Sequence, residues 1–485
     1  MNQDTICALA TANGIGAIGI IRVSGDQSFE IVSKVFQGKN LEKADSHTVY
    51  YGFIVDGKSE VGSGKSEVES NIQHPTSNIQ PETIDEVMVS VFKAPKTFTA
   101  EDSVEISFHG SPHIAKKILE VLIKNGARMA KAGEFTMRAF MNGRIDLSQA
   151  ESIADLIASE NEASRKVALN QLKGGITNEI SILRNDLLNF TSLIELELDF
   201  AEEDVEFADR SAMVKLIFNL KNKLGSLIDS FQFGNAVKNG VDVAIIGKPN
   251  AGKSTLLNAL LKEERAIVSD IAGTTRDTIE EILHISGTAF RFIDTAGIRE
   301  TTDTIEEIGV RKAKEKIATA KVLLYLYDEF DSTVNDVVSF VKEFYRKDLE
   351  IVLIHNKIDL SKNTENHFDT QLSAELLPDF VKKIIGISAK ENQGIEQVIS
   401  VLKDYIENLK TEESNVVITN QRHYEALQKS LDSVKRVENA ISGQIHTELL
   451  AYELRNALEH LGEISGEFTN DEVLGNIFSK FCIGK

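Results

Sequence analysis

The chain has 485 residues, of which 42% are hydrophobic, and its formal net charge is −21 at pH 7. This length predicts about three domains, and the negative charge argues against binding of nucleic acid over most of the surface. No apolar run reaches the roughly 20 residues that a membrane span needs, and the N-terminus lacks the basic-then-apolar order of a secretory signal. A cytoplasmic protein with no membrane segment is therefore expected.

The first 142 residues mix strand-like runs with one helical stretch. The runs "AIGIIRVSG", "DEVMVSVF" and "SVEISFHG" are rich in β-branched residues, and "HIAKKILEVLIKNGA" has apolar residues at helical spacing. The sequence therefore predicts an α+β domain at residues 1–142. Within it, residues from about 57 to 83 are polar and contain "GKSEV" twice, which predicts a solvated loop because there is little apolar surface to bury.

The rest of the chain changes period twice. Residues 143–239 have apolar residues spaced for two or three long helices, and residues 409–485 are helical again. Residues 240–408 alternate apolar strands with amphipathic helices, which is typical of a mostly parallel α/β sheet. We expect a multidomain α/β protein in which this α/β domain is inserted into one helical domain, because each flanking helical region then gains a partner for its apolar face.

A candidate phosphate-binding loop lies in "VDVAIIGKPNAGKSTLLNALL", where Gly247 is followed after four residues by Gly252, Lys253 and Ser254. Small residues in such a loop let backbone N–H groups surround phosphates at a helix N-terminus. The Lys253 ammonium would reach the β- and γ-phosphates, and the Ser254 hydroxyl would bind Mg²⁺. The same pattern occurs at Gly52–Ser59, but there apolar residues lie inside it and a polar loop follows, so we reject that copy.

Three further motifs follow in the order of a Ras-like GTPase. "FRFIDTAG" places Asp294 at a strand end, where it would hold Mg²⁺ through water. "IVLIHNKID" ends a strand with Asn356, Lys357 and Asp359, and the Asp359 carboxylate would accept both N–H donors of guanine. "GISAK" would back the base with a backbone N–H, and Thr275 in "SDIAGTTRDT" is the candidate switch threonine, which would bind Mg²⁺ and sense the γ-phosphate.

Together the four motifs predict a Ras-like P-loop domain that binds GTP. The predicted GTP-binding residues are Asn250, Ala251, Gly252, Lys253, Ser254, Thr255, Ser269, Asp270, Ile271, Ala272, Gly273, Thr274, Thr275, Asp294, Thr295, Ala296, Gly297, Asn356, Lys357, Asp359, Ser388, Ala389 and Lys390.

The catalytic group for hydrolysis is not the usual one. In Ras-like enzymes a Gln directly after the Asp-x-x-Gly motif orients the attacking water, but this chain has Ile298 there. Asn250 could help hold a monovalent cation against the phosphates, which would do the electrostatic work of an arginine finger. Glu306 and Glu307 lie within reach of the switch, and either could act on water, or both could be the solvated start of a helix.

The GTPase motifs, "DIAGTTRD", "GEFTMRAFMNGRIDLSQAE", "GEFTNDEVLGNIFSKFCIGK" and the N-terminal "TICALATANGIGAIGIIRVSG" together resemble the MnmE (TrmE) family of tRNA-modification GTPases, nearly end to end. The resemblance implies a heterotetramer with an FAD-binding partner, MnmG. The two proteins would add an aminomethyl or carboxymethylaminomethyl group at C5 of the wobble uridine (U34) of certain tRNAs. A tetrahydrofolate, in its 5,10-methylene or 5-formyl form, would supply the one-carbon unit.

The resemblance also implies roles for domains and residues. The N-terminal domain would have a folate-binding fold and mediate homodimerisation, and the G domain would dimerise across its switch face with GTP and K⁺ bound. Glu306 would be the catalytic acid, which orients or polarises the attacking water. The implied K⁺ ligands are Asn250, Ser269, Ile271 and Thr274.

The folate-binding residues implied by the resemblance are Arg22, Glu105, Arg144 and Lys485. A carboxylate such as Glu105 suits the amino-pyrimidinone edge of a pterin, and an anionic glutamate tail suits Arg or Lys. Without the resemblance, each of these residues more readily predicts a surface ion pair. Two alternatives to the modification function stay open: a GTP-switched ribosome-assembly factor, and a GTPase whose N-terminal domain no longer binds folate.

The two cysteines, Cys7 and Cys482, are too few for a disulfide framework, and reduced thiols are expected. Prenylation at "FCIGK" is poorly supported, because Lys485 is not a usual last residue and no polybasic stretch precedes Cys482. A disordered tail is the default expectation for a terminus, but the apolar residues of "NIFSKFCIGK" would allow the tail to dock. The resemblance places this tail near the folate pocket, where the Cys482 thiol would have either a chemical or a packing role.

Overall fold

The computed structural model describes residues 4–57, 81–199, 210–263, 280–293, 317–360, 367–410, 416–443, 447–468 and 471–484. The chain divides into two compact units. Unit 1 comprises Met1–Ala154 and Ser465–Lys485, and unit 2 comprises Asp155–Ile464. Within the described ranges, no helix combines the length and the apolar content that crossing a membrane requires.

The described residues form two sheets and a set of α-helices. The strands are β1 Ile6–Leu9, β2 Ile18–Ser24, β3 Phe36–Gln37, β4 Thr48–Asp56, β5 Glu82–Phe92, β6 Ser103–His109, β7 Arg128–Met129, β8 Val241–Gly247, β9 Glu280–Ile285, β10 Thr288–Ile293, β11 Val322–Tyr327, β12 Glu350–His355 and β13 Lys383–Gly386. The helices are α1 Ser28–Val35, α2 Pro112–Lys124, α3 Glu134–Met141, α4 Leu147–Ile157, α5 Glu162–Leu172, α6 Gly175–Asp199, α7 Arg210–Asn239, α8 Lys253–Glu263, α9 Val334–Phe344, α10 His367–Leu376, α11 Ile395–Leu409, α12 Gln421–Ser442, α13 Thr447–Ser465 and α14 Asp471–Ser479.

The sheet of unit 1 has seven strands in the order β3-β4-β5-β6-β2-β1-β7. Neighbouring strands are antiparallel, except that β1 and β7 are parallel. In β2, Ile21 and Val23 are buried in the same core cluster as Val32 of α1 and Ile118 of α2. Because side chains alternate along a strand, Arg22 projects from the opposite face of the sheet.

Unit 1 confirms the predicted α+β character but contains helices that the sequence analysis did not anticipate. Only the stretch that became α2 was predicted, whereas α1 and α3 are also present. Each of these two helices has eight residues. A periodic pattern is read over a window of about 11–18 residues, so helices of this length give too few repeats to be recognised.

An ionic network holds α3 against β7 and the N-terminal residues. The Glu134 carboxylate accepts hydrogen bonds from Arg128, from Arg138 and from the backbone N–H of Lys131. Asp4 accepts further bonds from both arginines. Burial acts to raise the pKa of Glu134, but the hydrogen bonds and the positive charges outweigh it, so the pKa is lowered.

The C-terminal tail docks on unit 1. An antiparallel bridge joins Ala132 to Ile483. Gly484 has a φ of 98°, and a Cβ there would lie 2.1 Å from the carbonyl oxygen of Leu9, so the position requires glycine. The predicted docking of the tail is confirmed for the described residues, and Lys485 lies outside them.

The sheet of unit 2 has six strands in the order β13-β12-β11-β8-β10-β9. All neighbours are parallel except β9, which is antiparallel to β10. β11 is buried at every position, as expected when helices cover both faces of a parallel sheet. The predicted mostly parallel α/β domain is confirmed.

Helices from both sides of the α/β segment share one core. Leu187 of α6 and Leu224 of α7 lie in the same buried cluster as Leu427 of α12 and Leu454 of α13. The predicted fold class, in which an α/β domain is inserted into a helical domain, is therefore confirmed. The boundaries at residues 142, 239 and 408 stay a prediction.

The described residues of the range 143–239 form four helices instead of the two or three expected, and local capping explains the difference. The Asn161 side chain accepts a hydrogen bond from the Ser164 backbone N–H, which starts α5 as a separate helix. Gly174, with a φ of 89°, lies just beyond the end of α5, where a left-handed residue commonly terminates a helix.

Replacing Glu134 by Gln should lower the free energy of unfolding at pH 7 by about 1–3 kcal/mol, because two arginines lose a buried charged acceptor. Since the folded-state pKa of Glu134 is lowered, its charge stabilises the protein above the unfolded-state pKa of about 4.3. The difference between variant and wild type should shrink as the pH falls through the folded-state pKa. Chemical denaturation at several pH values measures both effects.

The matched control for this experiment is Glu30→Gln, which removes an exposed carboxylate paired with Lys34 at i,i+4. This substitution should have little effect on stability, because exposed ion pairs contribute little. Equal losses in the two variants would show that the network around Glu134 does not have the stabilising role described.

Candidate functional site

The candidate phosphate-binding loop connects β8 to α8, as the sequence predicted. β8 ends at Gly247, and α8 begins at Lys253. Asn250 and Gly252 have φ values of 61° and 100°, so the backbone enters the left-handed region twice before the helix starts. Ser254 is exposed in the first turn of α8, where its hydroxyl is accessible to a cation.

The Lys253 ammonium lies over this loop. Its Nζ donates to the carbonyl oxygens of Gly247 at 2.8 Å and Lys248 at 3.0 Å. The positive charge therefore adds to that of the helix dipole at the start of α8, which is an arrangement that favours anions.

The rejected second copy of the loop pattern is a strand in the structure. Gly52 pairs with Val87 within the antiparallel β4–β5 ladder. A residue held in a ladder cannot form a phosphate-binding turn, so the rejection is confirmed for the described part of that copy. Lys58 and Ser59 lie outside the described residues.

The side chain of Asn356 joins three motifs. It is 4% exposed; its Nδ2 donates to the carbonyl oxygen of Ala251 at 2.7 Å, and its Oδ1 accepts the N–H of Ala389 at 3.1 Å. A Cβ at Gly252 would lie 2.2 Å from the same Nδ2, so glycine is needed for this close approach. The phosphate loop, "NKID" and "SAK" therefore meet at the carboxyl edge of the parallel sheet.

The residues that follow Asn356 present a carboxylate to solvent. Lys357 has a φ of 65°, and its Nζ donates to Oδ2 of Asp328 at 2.7 Å. Asp359 lies in the 3₁₀ turn Ile358–Leu360 and is exposed. A carboxylate in this position can accept two N–H donors from one base.

The "SAK" motif forms a tight turn beside this carboxylate. Ser388 is 1% exposed, and its Oγ accepts the backbone N–H of Glu391 at 3.3 Å. Lys390 is exposed at the same turn. Other predicted site residues lie outside the described part of the chain: Ser269, Asp270, Ile271, Ala272, Gly273, Thr274, Thr275, Asp294, Thr295, Ala296, Gly297, Glu306 and Lys485.

Three of the four residues predicted to bind folate meet at one cavity in unit 1. Arg22 and Glu105 are directly paired across β2 and β6, and the Nε and Nη2 atoms of Arg22 lie 2.9 and 2.8 Å from Oε1 of Glu105. Arg144 lines the same cavity, whose volume is about 360 Å³. Arg22 and Glu105 do form an ion pair, as the residue types alone predicted, but this pair is part of a cavity wall.

The cavity is positively charged although the chain is strongly acidic. Arg22, Lys96 and Arg144 line it together with one carboxylate, Glu105, which gives 3 − 1 = +2 with His47 neutral. Burial, and then the charge of nearby Arg22, lower the pKa of Arg144. Two guanidinium groups are thus held close together at a cost, which an anionic ligand would offset.

The two cysteines differ in their surroundings. Cys7 is buried, and burial raises its pKa to about 12, although the charge of Arg128 acts to lower it. Cys482 is exposed in the tail, and its carbonyl oxygen accepts the N–H of Gly133 at 3.4 Å. Neither cysteine forms a disulfide, as predicted. The described tail residues are absent from the cavity lining.

Comparison with known proteins shows the family of this chain. The family model described as "GTP-binding protein TrmE N-terminus" matches residues 5–144, and the one described as "MnmE helical domain" matches residues 147–482. The protein named tRNA modification GTPase MnmE in Christiangramia forsetii is 48% identical to this chain, with 100% of this chain and 99% of that protein covered. The chain belongs to the MnmE family.

Two further MnmE proteins are similarly close. That of Flavobacterium johnsoniae is 48% identical, with 100% of both chains covered. That of Cytophaga hutchinsonii is 47% identical, with 100% of this chain and 98% of its own covered. The family resemblance inferred from the motifs is confirmed.

Some cavity residues of this MnmE-family chain were missed by the sequence analysis. The ring of Phe98 contacts two guanidinium groups, with Cζ of Arg22 4.7 Å and Cζ of Arg144 5.2 Å from its centroid. His47 and Lys96 also line the cavity. The run "KAPKTFT" places a lysine and an aromatic residue close before Glu105, and this was the sequence signal that could have identified them. No local signal marks His47, because only the fold brings it to the cavity.

Proposed function

We propose that this MnmE-family GTP hydrolase is K⁺-dependent and acts with the FAD-binding protein MnmG to form 5-carboxymethylaminomethyl- or aminomethyluridine at the wobble position (U34) of certain tRNAs. A tetrahydrofolate one-carbon unit, carried in the 5,10-methylene or 5-formyl form, enters the product. The observation that carries the proposal is the coexistence in one MnmE-family chain of the Asn356 junction and the cationic cavity of unit 1. The enzyme works in the cytoplasm as a homodimer within a heterotetramer.

GTP occupies the carboxyl edge of the unit 2 sheet. The loop N–H groups and Lys253 hold the phosphates, Ser254 and Thr275 bind Mg²⁺, and Asp359 accepts the guanine N–H donors. The exposed Asp359 carboxylate and the exposed Ser254 hydroxyl support these roles. Asp294 holds Mg²⁺ through water, and Gly297 lies beside the γ-phosphate, as their motif implies.

Hydrolysis uses a K⁺ ion and a glutamate. Asn250, Ser269, Ile271 and Thr274 hold K⁺, which offsets the charge that develops on the phosphates, and Glu306 orients the attacking water. The left-handed backbone at Asn250 supports its part in this set, because strained conformations concentrate at functional sites.

Folate binds in the cavity of unit 1. Both bonds from Arg22 end on Oε1 of Glu105, and Oε2 accepts no bond from the described residues, so it can accept an N–H donor of the pterin. Arg144 and Lys485 bind the glutamate tail. The charge of the cavity and the lowered pKa of Arg144 support an anionic ligand.

We expect GTP hydrolysis by the full chain to be faster in K⁺ than in Na⁺ by at least about tenfold, because loss of preorganised charge stabilisation costs this much or more. Phosphate release in matched chloride salts is the measurement. Glu306→Ala should keep nucleotide affinity and lose hydrolysis in both salts, and the neighbouring Glu307→Ala should behave as wild type. Equal turnover of the wild type in K⁺ and Na⁺ would exclude the cation.

Arg22→Ala should weaken binding of 5-formyltetrahydrofolate by at least about tenfold, because Glu105, which accepts from the pterin, loses the charge-assisted hydrogen bond from Arg22. Calorimetry on the full chain gives the affinity. Arg165→Ala is the matched control, since Arg165 is an exposed arginine that is paired with Glu162 on α5 and does not line the cavity. Equal affinities of the two variants would show that the cavity is not the folate site.

Deletion of the gene should remove the C5 group from the wobble uridine of the substrate tRNAs, and mass spectrometry of tRNA nucleosides measures this loss. The wild-type gene should restore the modification, whereas a Lys253→Ala gene should not, because its product lacks the phosphate-binding ammonium. Unchanged wobble modification in the deletion strain would refute the proposed function.

A further inference from the structure

A buried polar network lies at the strand ends that precede the candidate guanine site. Tyr327, the last residue of β11, pairs in register with His355, the last residue of β12. Their rings are stacked, with centroids 5.0 Å apart and planes 15° apart. Both side chains are 1–2% exposed, so each polar atom needs a partner within the protein.

Asp369 of α10 is that partner for both rings. The Tyr327 hydroxyl donates to Oδ1 of Asp369, and Nδ1 of His355 lies 3.0 Å from Oδ2. Burial, together with the charge and hydrogen bond of Asp369, raises the pKa of Tyr327, which keeps the phenol protonated as a donor. One carboxylate on a helix therefore ties together the ends of two neighbouring strands.

The residues that follow these strand ends form the guanine site. Asn356 follows His355, and its backbone N–H donates to the carbonyl oxygen of Tyr327 at 2.8 Å. Asp328 follows Tyr327, and its carboxylate accepts the ammonium of Lys357 at 2.7 Å. The left-handed φ of 65° at Lys357 is an unfavourable conformation, which persists only where the surroundings fix it.

We propose that Asp369 is a positioning residue for guanine recognition. Acting through Tyr327 and His355, it fixes the two strand ends and thereby the direction in which the Asp359 carboxylate meets the base. The inference rests on the proposed binding of GTP at this edge of the sheet. It adds to that proposal a residue that contacts no nucleotide and yet sets the selectivity for guanine.

The test compares a base that donates two hydrogen bonds to the Asp359 carboxylate with a base that donates one. Guanine offers its ring N–H and its exocyclic amino group, whereas hypoxanthine, the base of IDP, lacks the amino group. The ratio of the IDP to the GDP dissociation constant therefore reports the alignment of Asp359. A network that only stabilises the fold would change the melting temperature and leave this ratio unchanged in the folded protein.

We expect the ratio to fall by about three- to tenfold in Asp369→Ala and by a smaller factor in Tyr327→Phe, which removes one of the two bonds. Tyr325→Phe is the matched control, because Tyr325 is a buried tyrosine on the same strand that stacks on Phe340 outside the network. It should keep the wild-type ratio. Competition binding with GDP and IDP on the full chain, with folding checked by circular dichroism, supplies the values.

Two other outcomes would contradict the proposal. A wild type without preference for GDP over IDP would overturn the proposed nucleotide site and the role of Asp369 with it. A wild type that prefers GDP, with an unchanged ratio in the variants, would overturn the role of Asp369 alone. If Asp369→Ala fails to fold, Tyr327→Phe decides, because it retains the ring and removes only a hydroxyl.

Discussion

The nucleotide site depends on the buried amide of Asn356. An amide carries a donor and an acceptor on one rigid group, so it can satisfy the Ala251 carbonyl oxygen and the Ala389 N–H together, although Asn356 and Ala251 are 105 residues apart in the chain. An unbonded polar group at this depth would cost about 1–3 kcal/mol. The same contact explains the glycine at position 252, where a side chain would displace the amide.

In unit 1, the alternation of side chains along the strands places apolar residues in the core and charged residues at the cavity. The side chains of Ile21 and Val23 enter the core, and Arg22 between them projects from the other face of β2. Its partner Glu105 lies opposite on β6 for the same reason. This charged pair lines a cavity because residues from other segments, among them Phe98 and Arg144, surround it on this face of the sheet.

The local patterns predicted much of this arrangement. The apolar strand before Gly247 and the amphipathic helix after Ser254 were sufficient to place the phosphate loop and to reject the copy at Gly52, because each pattern fixes its own local structure. The side-chain bonds of Asn356 and the place of Phe98 at the cavity could not be predicted. Both features depend on which distant segments contact each other in the fold, and a local sequence pattern does not predict those contacts. Asp369 was missed for the same reason, because it lies in α10 and belongs to none of the GTPase motifs.

The docked tail also bears on how the protein is made. Residues 465–484 belong to the same compact unit as residues 4–154, and Gly484 lies against the backbone of Leu9. A chain emerging from the ribosome exposes its N-terminal segment first, but the contacts between this unit and its tail cannot form until residues 465–484 have been translated. The sheet that carries the cavity therefore lacks its contacts with the tail while all of unit 2 is synthesised.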